Sequence, residues 1–162
     1  MSAQTSYKFS TPVGMAGGIV DLAPYAIDTF KNQENSGVMK FGMAVVKGTT
    51  AGEQVKLPVS GSSATDFEGV TVNNLTTEYD MEGAINIRKD VPIGVMRYGR
   101  VYVRLATGVT PTYGAAAYFV KTGGEEGCFT TSSSSTVAVK GRFLGIVGDG
   151  IAELELFNQA QS

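Results

Sequence analysis

Apolar and polar residues alternate with a period of two through much of the chain after residue 37. The runs VMKFGMAVVKG (38–48), QVKLPVSG (54–61) and FEGVTVNN (67–74) each show this alternation and each end at glycine or asparagine. Such a pattern predicts half-buried β-strands separated by turns. The core positions predicted from the first and third runs are Met39, Phe41, Met43, Val45, Phe67, Val70 and Val72.

The strongest strand signal is PIGVMRYGRVYVRL, residues 92–105. Strict alternation predicts that the odd-numbered side chains share one face and that Met96 lies with the tyrosines and arginines on the other. Tyrosine and arginine are enriched at protein interfaces, so this second face is a candidate contact surface. The alternative is a solvated sheet face with cross-strand pairs. The candidate interface residues of this strand are Tyr98, Arg100, Tyr102 and Arg104.

Two further strands are predicted at the end of the chain. VAVKGRFLGIV (137–147) is followed by the dipeptide Asp149-Gly150, which is typical of a hairpin turn, and then by IAELELF. In the last run, alternation directs Ala152, Leu154 and Leu156 inward and the two glutamates outward.

These signals together predict an all-β protein, a small β-sandwich or barrel of about eight short strands. Glycine supports many turns, since it occupies 21 of 162 positions at strand-length intervals. Several short strands joined by glycine-rich turns favour a sandwich or a barrel.

Residues 1–37 show little alternation and are predicted to form an extended N-terminal arm, with residues 38–162 forming the β domain. Within this range, APYAIDTFKNQEN (23–35) could form one short helical turn. Apolar residues in the arm lack a local pattern that would bury them, so a neighbouring molecule is expected to cover them. The candidate interface residues of the arm are Val13, Met15 and Ile19.

The charge content narrows the range of partners. Charged residues make up 17% of the chain, against about a quarter in typical proteins, which suggests that a partner covers part of the surface. A net charge of −2 argues against a general nucleic-acid binder. The first residues do not resemble a secretory signal and no run predicts a membrane helix, so synthesis and release in a reducing cytoplasm are expected.

Residues that carry chemistry are few. Histidine is absent, which excludes Ser-His-Asp and Cys-His catalysis and histidine metal sites within one chain, and the single Cys128 excludes a disulfide framework. We therefore expect no enzyme activity, no cofactor and no metal. Two acidic clusters leave a glycosidase-like carboxylate pair or, in the first cluster, a Ca²⁺ site as weak alternatives. They comprise Glu78, Asp80 and Glu82, and Glu125 with Glu126.

Positive charge concentrates on two of the predicted strands. It could pair with acidic groups on a neighbouring subunit, or it could form salt bridges within one sheet face. The residues concerned are Arg97, Arg100, Arg104, Lys140 and Arg142.

Taken in order, five segments resemble the structural cement, or head decoration, proteins of tailed bacteriophages. They are PVGMAGGIVDL, FGMAVVKGTTAGEQVKLPVSG, FEGVTVNN, PIGVMRYGRVYVRL and GRFLGIVGDGIAELELF. The resemblance covers most of the chain except roughly 23–37 and 106–135. The motifs are turn and strand patterns, so their order carries more weight than any one of them.

The resemblance implies a non-enzymatic virion protein, typically a homotrimer, on the outer face of the capsid at local threefold positions. There it would bridge neighbouring major capsid proteins, without direct contact with nucleic acid or membrane. The competing interpretations are a phage tail or baseplate β-domain and a carbohydrate-binding β-sandwich.

Overall fold

The computed structural model describes residues 14–21, 23–73, 78–79, 85–148 and 150–158. These residues form eleven strands and a single-turn 3-10 helix at Ala64–Asp66, without an α-helix, so the all-β prediction is confirmed. The strands outnumber the expected eight, and two of them are 13 residues long. They are β1 Ala26–Asn32, β2 Ala44–Lys47, β3 Gln54–Lys56, β4 Phe67–Thr71, β5 Glu78–Tyr79, β6 Ile85–Asn86, β7 Pro92–Arg104, β8 Ala116–Val120, β9 Phe129–Thr130, β10 Thr136–Gly148 and β11 Ile151–Leu156.

Five strands close into a small β-barrel. Their order is β1-β3-β2-β4-β7, and an antiparallel ladder between β1 and β7, with Phe30 opposite Ile93, completes the circle. The barrel is filled by buried apolar side chains, including two that precede β2 in a turn, as the apolar pattern of the run 38–48 predicts. This cluster contains Phe30, Met39, Phe41, Val45, Val55, Ile87, Ile93 and Val95.

The second half of β7 continues into another antiparallel sheet, in the order β7-β11-β10-β8-β9. This sheet curls back on itself, since a bridge between Leu105 and Phe129 joins its last strand to the end of β7. A larger core packs inside it and against the outside of the barrel. Its largest fully buried side chains are Phe119, Phe129, Phe143, Met96 and Leu154.

The odd-numbered side chains of β7 change from one core to the other near Gly99. Before it, Val95 points into the barrel; after it, Val101 and Val103 point into the second core. Gly99 has a φ of +124°, and just before it the ladder with β1 shifts register between Met96 and Tyr98, a β-bulge that re-aims the side chains that follow. The strict alternation predicted for residues 92–105 is therefore wrong for Met96, which is fully buried instead of lying with the tyrosines and arginines.

The range predicted as an arm contains a barrel strand. Residues 26–32 form β1 where the sequence allowed a helical turn, and β1 pairs with both β3 and β7. Only part of the range, residues 14–21 and 23–37, lies within the description. The division into an arm of 1–37 and a domain of 38–162 stays a prediction.

The C-terminal hairpin forms as predicted. β10 and β11 pair antiparallel, and Ala152, Leu154 and Leu156 are buried on one face of β11. Gly150 has a φ of +70° in the turn, while Asp149 lies outside the described residues.

Candidate interaction surface

The second half of β7 is covered along one edge by residues 14–21, which belong to the range predicted as an arm and are called the arm from here on. The Gly17 N–H donates to the Tyr102 carbonyl oxygen at 2.7 Å, and the Tyr102 N–H donates to the Gly18 carbonyl oxygen at 3.0 Å. The Val20 N–H donates to the Arg100 carbonyl oxygen at 3.1 Å, and Ile19 forms an antiparallel bridge with Val101. Residues 17–20 therefore pair with β7 much as an additional strand would.

The Tyr102 side chain lies beneath two arm glycines. A Cβ at Gly14 would come within 2.2 Å of the Tyr102 ring, and one at Gly18 within 3.2 Å. Burial under the arm raises the pKa of Tyr102, and the negative charges of Glu153 and Asp21 raise it further. The ring is therefore part of the arm's docking surface, and only glycine at position 14 permits this approach.

Alternating charges extend from the arm across β7, β11 and β10. The Arg100 Nη1 lies 2.8 Å from the Asp21 Oδ2, and its Nε lies 3.5 Å from the Glu155 Oε1. The other Glu155 oxygen accepts a hydrogen bond of 2.7 Å from the Arg142 Nε. Glu155 is the register partner of both arginines, so cross-strand pairing alone brings the three side chains together.

Tyr113 lies at the end of this row. The Arg142 guanidinium carbon is 5.5 Å from the centre of the Tyr113 ring, within the range of a cation–π contact. The hydrogen bond to Glu155 raises the pKa of Arg142 above its usual value. Tyr113 itself is 70% exposed, so its outer ring face is available to a partner.

The predicted interface residues of β7 differ in what they contact. Arg104 donates from Nε to the Phe41 carbonyl oxygen at 2.9 Å, and Tyr98 lies opposite Ala26 in β1. Arg100 and Tyr102 contact the arm, as described above. These contacts agree with the alternative of pairing within one chain; whether the same face also meets a neighbouring subunit stays a prediction.

Apolar side chains of the arm remain exposed next to this face. Met15 is 59% exposed and Ile19 is 39% exposed, although the backbone between them is fixed to β7. The Asn73 amide donates to the Met15 sulfur at 2.9 Å, which holds the side chain against the barrel. The structure thus brings Met15 and Ile19 beside Tyr102, while the third arm candidate, Val13, lies outside the described residues.

The acidic residues considered for catalysis or metal binding have other contacts or are not described. Glu125 accepts hydrogen bonds from the Thr107 N–H and hydroxyl, and these lower its pKa. Glu126 accepts from the Gly124 N–H, which lowers its pKa likewise. Asp80 and Glu82 lie outside the description, and of Glu78 only the backbone, in β5, is described. Across the described part of the chain, no three Asp, Glu, Cys or His side chains are grouped as metal ligands would be.

Two further observations concern the described residues. Burial raises the pKa of the Cys128 thiol, which leaves it protonated at neutral pH. Among helices in this part of the chain, none is long and apolar enough to cross a bilayer.

Sequence reasoning missed three members of the charge row: Asp21, Glu155 and Tyr113. Glu155 could have been found, because the hairpin register places it opposite Arg142. Asp21 gave no signal, since its contact with Arg100 spans 79 residues and depends on how the arm docks.

Known proteins resemble this chain in sequence and in fold. Residues 3–157 match the phage family described as "Structural cement protein (E217 gp24/Pam3 gp6)". A solved chain titled "The capsid of Myoviridae Phage XM1" is similar in structure, with a TM-score of 0.71 and 16% sequence identity. The similarity covers 96% of this chain and 98% of that one, which shows a shared fold. No curated protein matches the chain. Because the family match extends over nearly the whole sequence, the chain belongs to the phage structural cement protein family.

Proposed function

We propose that this protein binds the outer surface of a phage head at local threefold positions and stabilises contacts between major capsid proteins. The observation that carries the proposal is the family match over residues 3–157, which supports a structural role in the capsid. The exposed apolar residues of the docked arm support a contact surface, because apolar side chains exposed to water gain stability when a partner buries them.

The proposed contact surface combines arm and sheet. Its apolar part is Met15 and Ile19, and its sheet part is the β7 face with Tyr98, Arg100, Tyr102 and Arg104. Arg100 already pairs with Asp21 and Glu155, so it does not bring an unpaired charge to the interface. Its role is to fix the polar side chains of this surface in place before a partner binds. Preorganised surfaces lose less entropy on binding. Val13, which directly precedes the docked segment, is included in the proposal.

A homotrimer is the proposed assembly. Three copies that bind together convert modest single contacts into tight attachment through effective concentration. Stabilisation then follows by linkage, because the protein binds the assembled lattice in preference to separated subunits. Light scattering should give the mass of three chains; a monodisperse monomer at high concentration would contradict this part of the proposal.

The test of function uses heads assembled without the protein. Adding back the wild type should raise the temperature at which DNA is released; bare heads that survive heating equally well would overturn the proposal. The double variant Met15→Asp/Ile19→Asp should bind at least tenfold more weakly, since two charges would be buried at the contact. Val59→Asp is the control, because Val59 is 49% exposed but lies on another loop.

A second pair of substitutions tests the β7 face. Arg100→Ala/Arg104→Ala should reduce binding to the heads, since truncating a well-buried arginine at an interface costs about 2 kcal/mol or more. If the double variant binds as well as the wild type, the capsid contact does not include these arginines, and pairing within the chain accounts for them.

We also propose that the role is purely structural, without catalysis. Screens for glycosidase, esterase and nuclease activity, with and without Ca²⁺ or Mg²⁺, should be blank. Turnover that Glu126→Gln abolishes would contradict this.

A further inference from the structure

A cleft of about 480 Å³ lies between the 3-10 helix, β4, β7 and β10, apart from the arm and the charge row. Phe67 and Ala138 contribute apolar surface to it, and Arg97, Lys140 and Glu68 contribute charge. Its volume falls in the range of clefts that hold compact ligands, roughly 300–1,000 Å³.

The apolar side of the cleft is part of the rigid core. Phe67 is 8% exposed and stacks on Phe119, with 5.5 Å between ring centres and 19° between planes. Next to it, the 3-10 helix is fixed by two contacts of Asp66, which accepts from the Ser63 N–H at 2.9 Å and from the Ser63 hydroxyl at 2.8 Å. A cleft with fixed walls can receive a partner at a small entropic cost.

The Arg97 guanidinium is held from one end only. Its Nη1 bonds to the Glu68 carboxylate and lies 3.9 Å from the Asp28 Oδ2. Within the described ranges, no protein hydrogen bond reaches its Nη2 or Nε, although its side chain is only 30% exposed. A planar guanidinium with free N–H groups matches a carboxylate, which it can bind through two parallel hydrogen bonds.

We propose that this cleft is a second docking site, for an acidic side chain on an extended segment of the major capsid protein. The proposal rests on the proposed function and adds a site to it. The carboxylate binds the free edge of Arg97 with Lys140 nearby, and the apolar part of the segment packs on Phe67 and Ala138. Arg97 and Lys140 lie beside the carboxylates of Glu68 and Asp28, so the docking depends on the unused N–H groups of Arg97 and not on a surplus of positive charge.

Filling the cleft tests the proposal. Ala138 is an exposed strand residue that lines it, and tyrosine is well tolerated in strands, so Ala138→Tyr should occupy the space without unfolding the protein. We expect its affinity for heads lacking the protein to fall at least tenfold. Ala51→Tyr makes the same change at an exposed turn residue outside the cleft and should bind as the wild type does. Lys140→Glu reverses the charge at another exposed position and should also weaken binding to the heads. This variant provides the test if Ala138→Tyr does not fold.

The outcomes separate the two proposals. If the wild type does not bind heads, the proposed function fails. If the wild type binds and both Ala138→Tyr and Lys140→Glu bind equally well, the docking site alone is overturned. It is also overturned if Ala138→Tyr lowers the mass of the protein in solution, because the cleft would then be a contact between copies of this chain.

Discussion

Gly99 has a positive φ of +124°, and Tyr25, which directly precedes β1, lies close to it. A Cβ at this position would lie 2.6 Å from the Cβ of Tyr25, on the segment that joins the docked arm to β1. Two requirements therefore act on this residue. The side chains of β7 change faces here, and the segment that contains Tyr25 passes across the strand. Only glycine meets both requirements.

Substituting this glycine should destabilise the protein through both effects. Gly99→Ala should cost about 2–4 kcal/mol in the free energy of unfolding, from backbone strain plus overpacking. Gly145→Ala is the matched control, since Gly145 has a φ of +139° in β10 but a Cβ there would meet nothing within 4 Å. Urea denaturation should place Gly99→Ala well below the control; equal losses would show that Tyr25 moves aside freely.

Asp66 should titrate at unusually low pH. Its hydrogen bonds from Lys47 and Ser63 lower its pKa from 3.8 to about 2. Because the folded value lies below the unfolded one, the resulting stabilisation is present above pH 4 and is lost as the pH falls from about 4 to about 2. In NMR titrations Lys47→Met should raise this pKa, whereas Lys56→Met, which removes the same charge from β3, should leave it low. An unchanged pKa in Lys47→Met would contradict the assignment.

At the level of elements, the docked arm joins the sheet through a few hydrogen bonds and one ion pair. Asp21 and Arg100 are each more than a third exposed, so salt screens their attraction and the pair stabilises the arm only modestly. The arm is therefore expected to be less stable than the barrel strands that it covers.

Breaking the ion pair should loosen the arm without unfolding the sheet. In Arg100→Ala, hydrogen exchange at the Val20 and Gly17 amides should accelerate up to about fivefold, corresponding to about 1 kcal/mol or less. Arg142→Ala removes the neighbouring pair with Glu155 but not the contact with Asp21, so exchange in the arm should stay at the wild-type rate. Equal exchange in the two variants would show that the backbone hydrogen bonds alone hold the arm.

The elements that alternation predicted were those with one buried and one exposed face. β11 is the clearest case, because Ala152, Leu154 and Leu156 are buried while the residues between them are only half-buried. β1 gave no such signal: its burial follows barrel closure, and residues 27–29 are exposed while Phe30 and Asn32 are buried. β7 was predicted as a strand, but one continuous period could not show the reversal at Gly99.

The candidate surface was predictable only in part. Tyrosines and arginines on one strand marked the β7 face, yet their partners come from distant segments that only the fold brings together. Arm docking on Tyr102 had no counterpart in the sequence pattern, since it depends on glycines at positions 14 and 18 meeting a ring 84 or more residues away.

At the scale of the whole molecule, β7 is shared by the two cores and joins them into one cooperative unit. Its first half closes the barrel and its second half begins the other sheet. Neither core can lose β7 and keep its closure, so both should unfold together in a single transition.

A cavity in one core should therefore weaken the other. Leu154→Ala, at a fully buried position of the second core, should cost about 2–5 kcal/mol. Hydrogen exchange by global unfolding should then show equal loss of protection in β2 of the barrel and in β10. Unchanged protection in β2 would mean that the barrel unfolds independently.

The length of β7 also has a mechanical consequence. Thirteen extended residues span roughly 40 Å, and ladders to β1, β4 and β11 lie along this length. Tension applied along the strand acts parallel to its neighbours, in shear, so many ladder hydrogen bonds must break at nearly the same moment. A load directed across the sheet instead peels the short β9 away one bond at a time. Pulling on single molecules through the two ends of β7 should thus require a higher force than pulling through β9, and a bridge between capsid subunits would be strongest when its load follows β7.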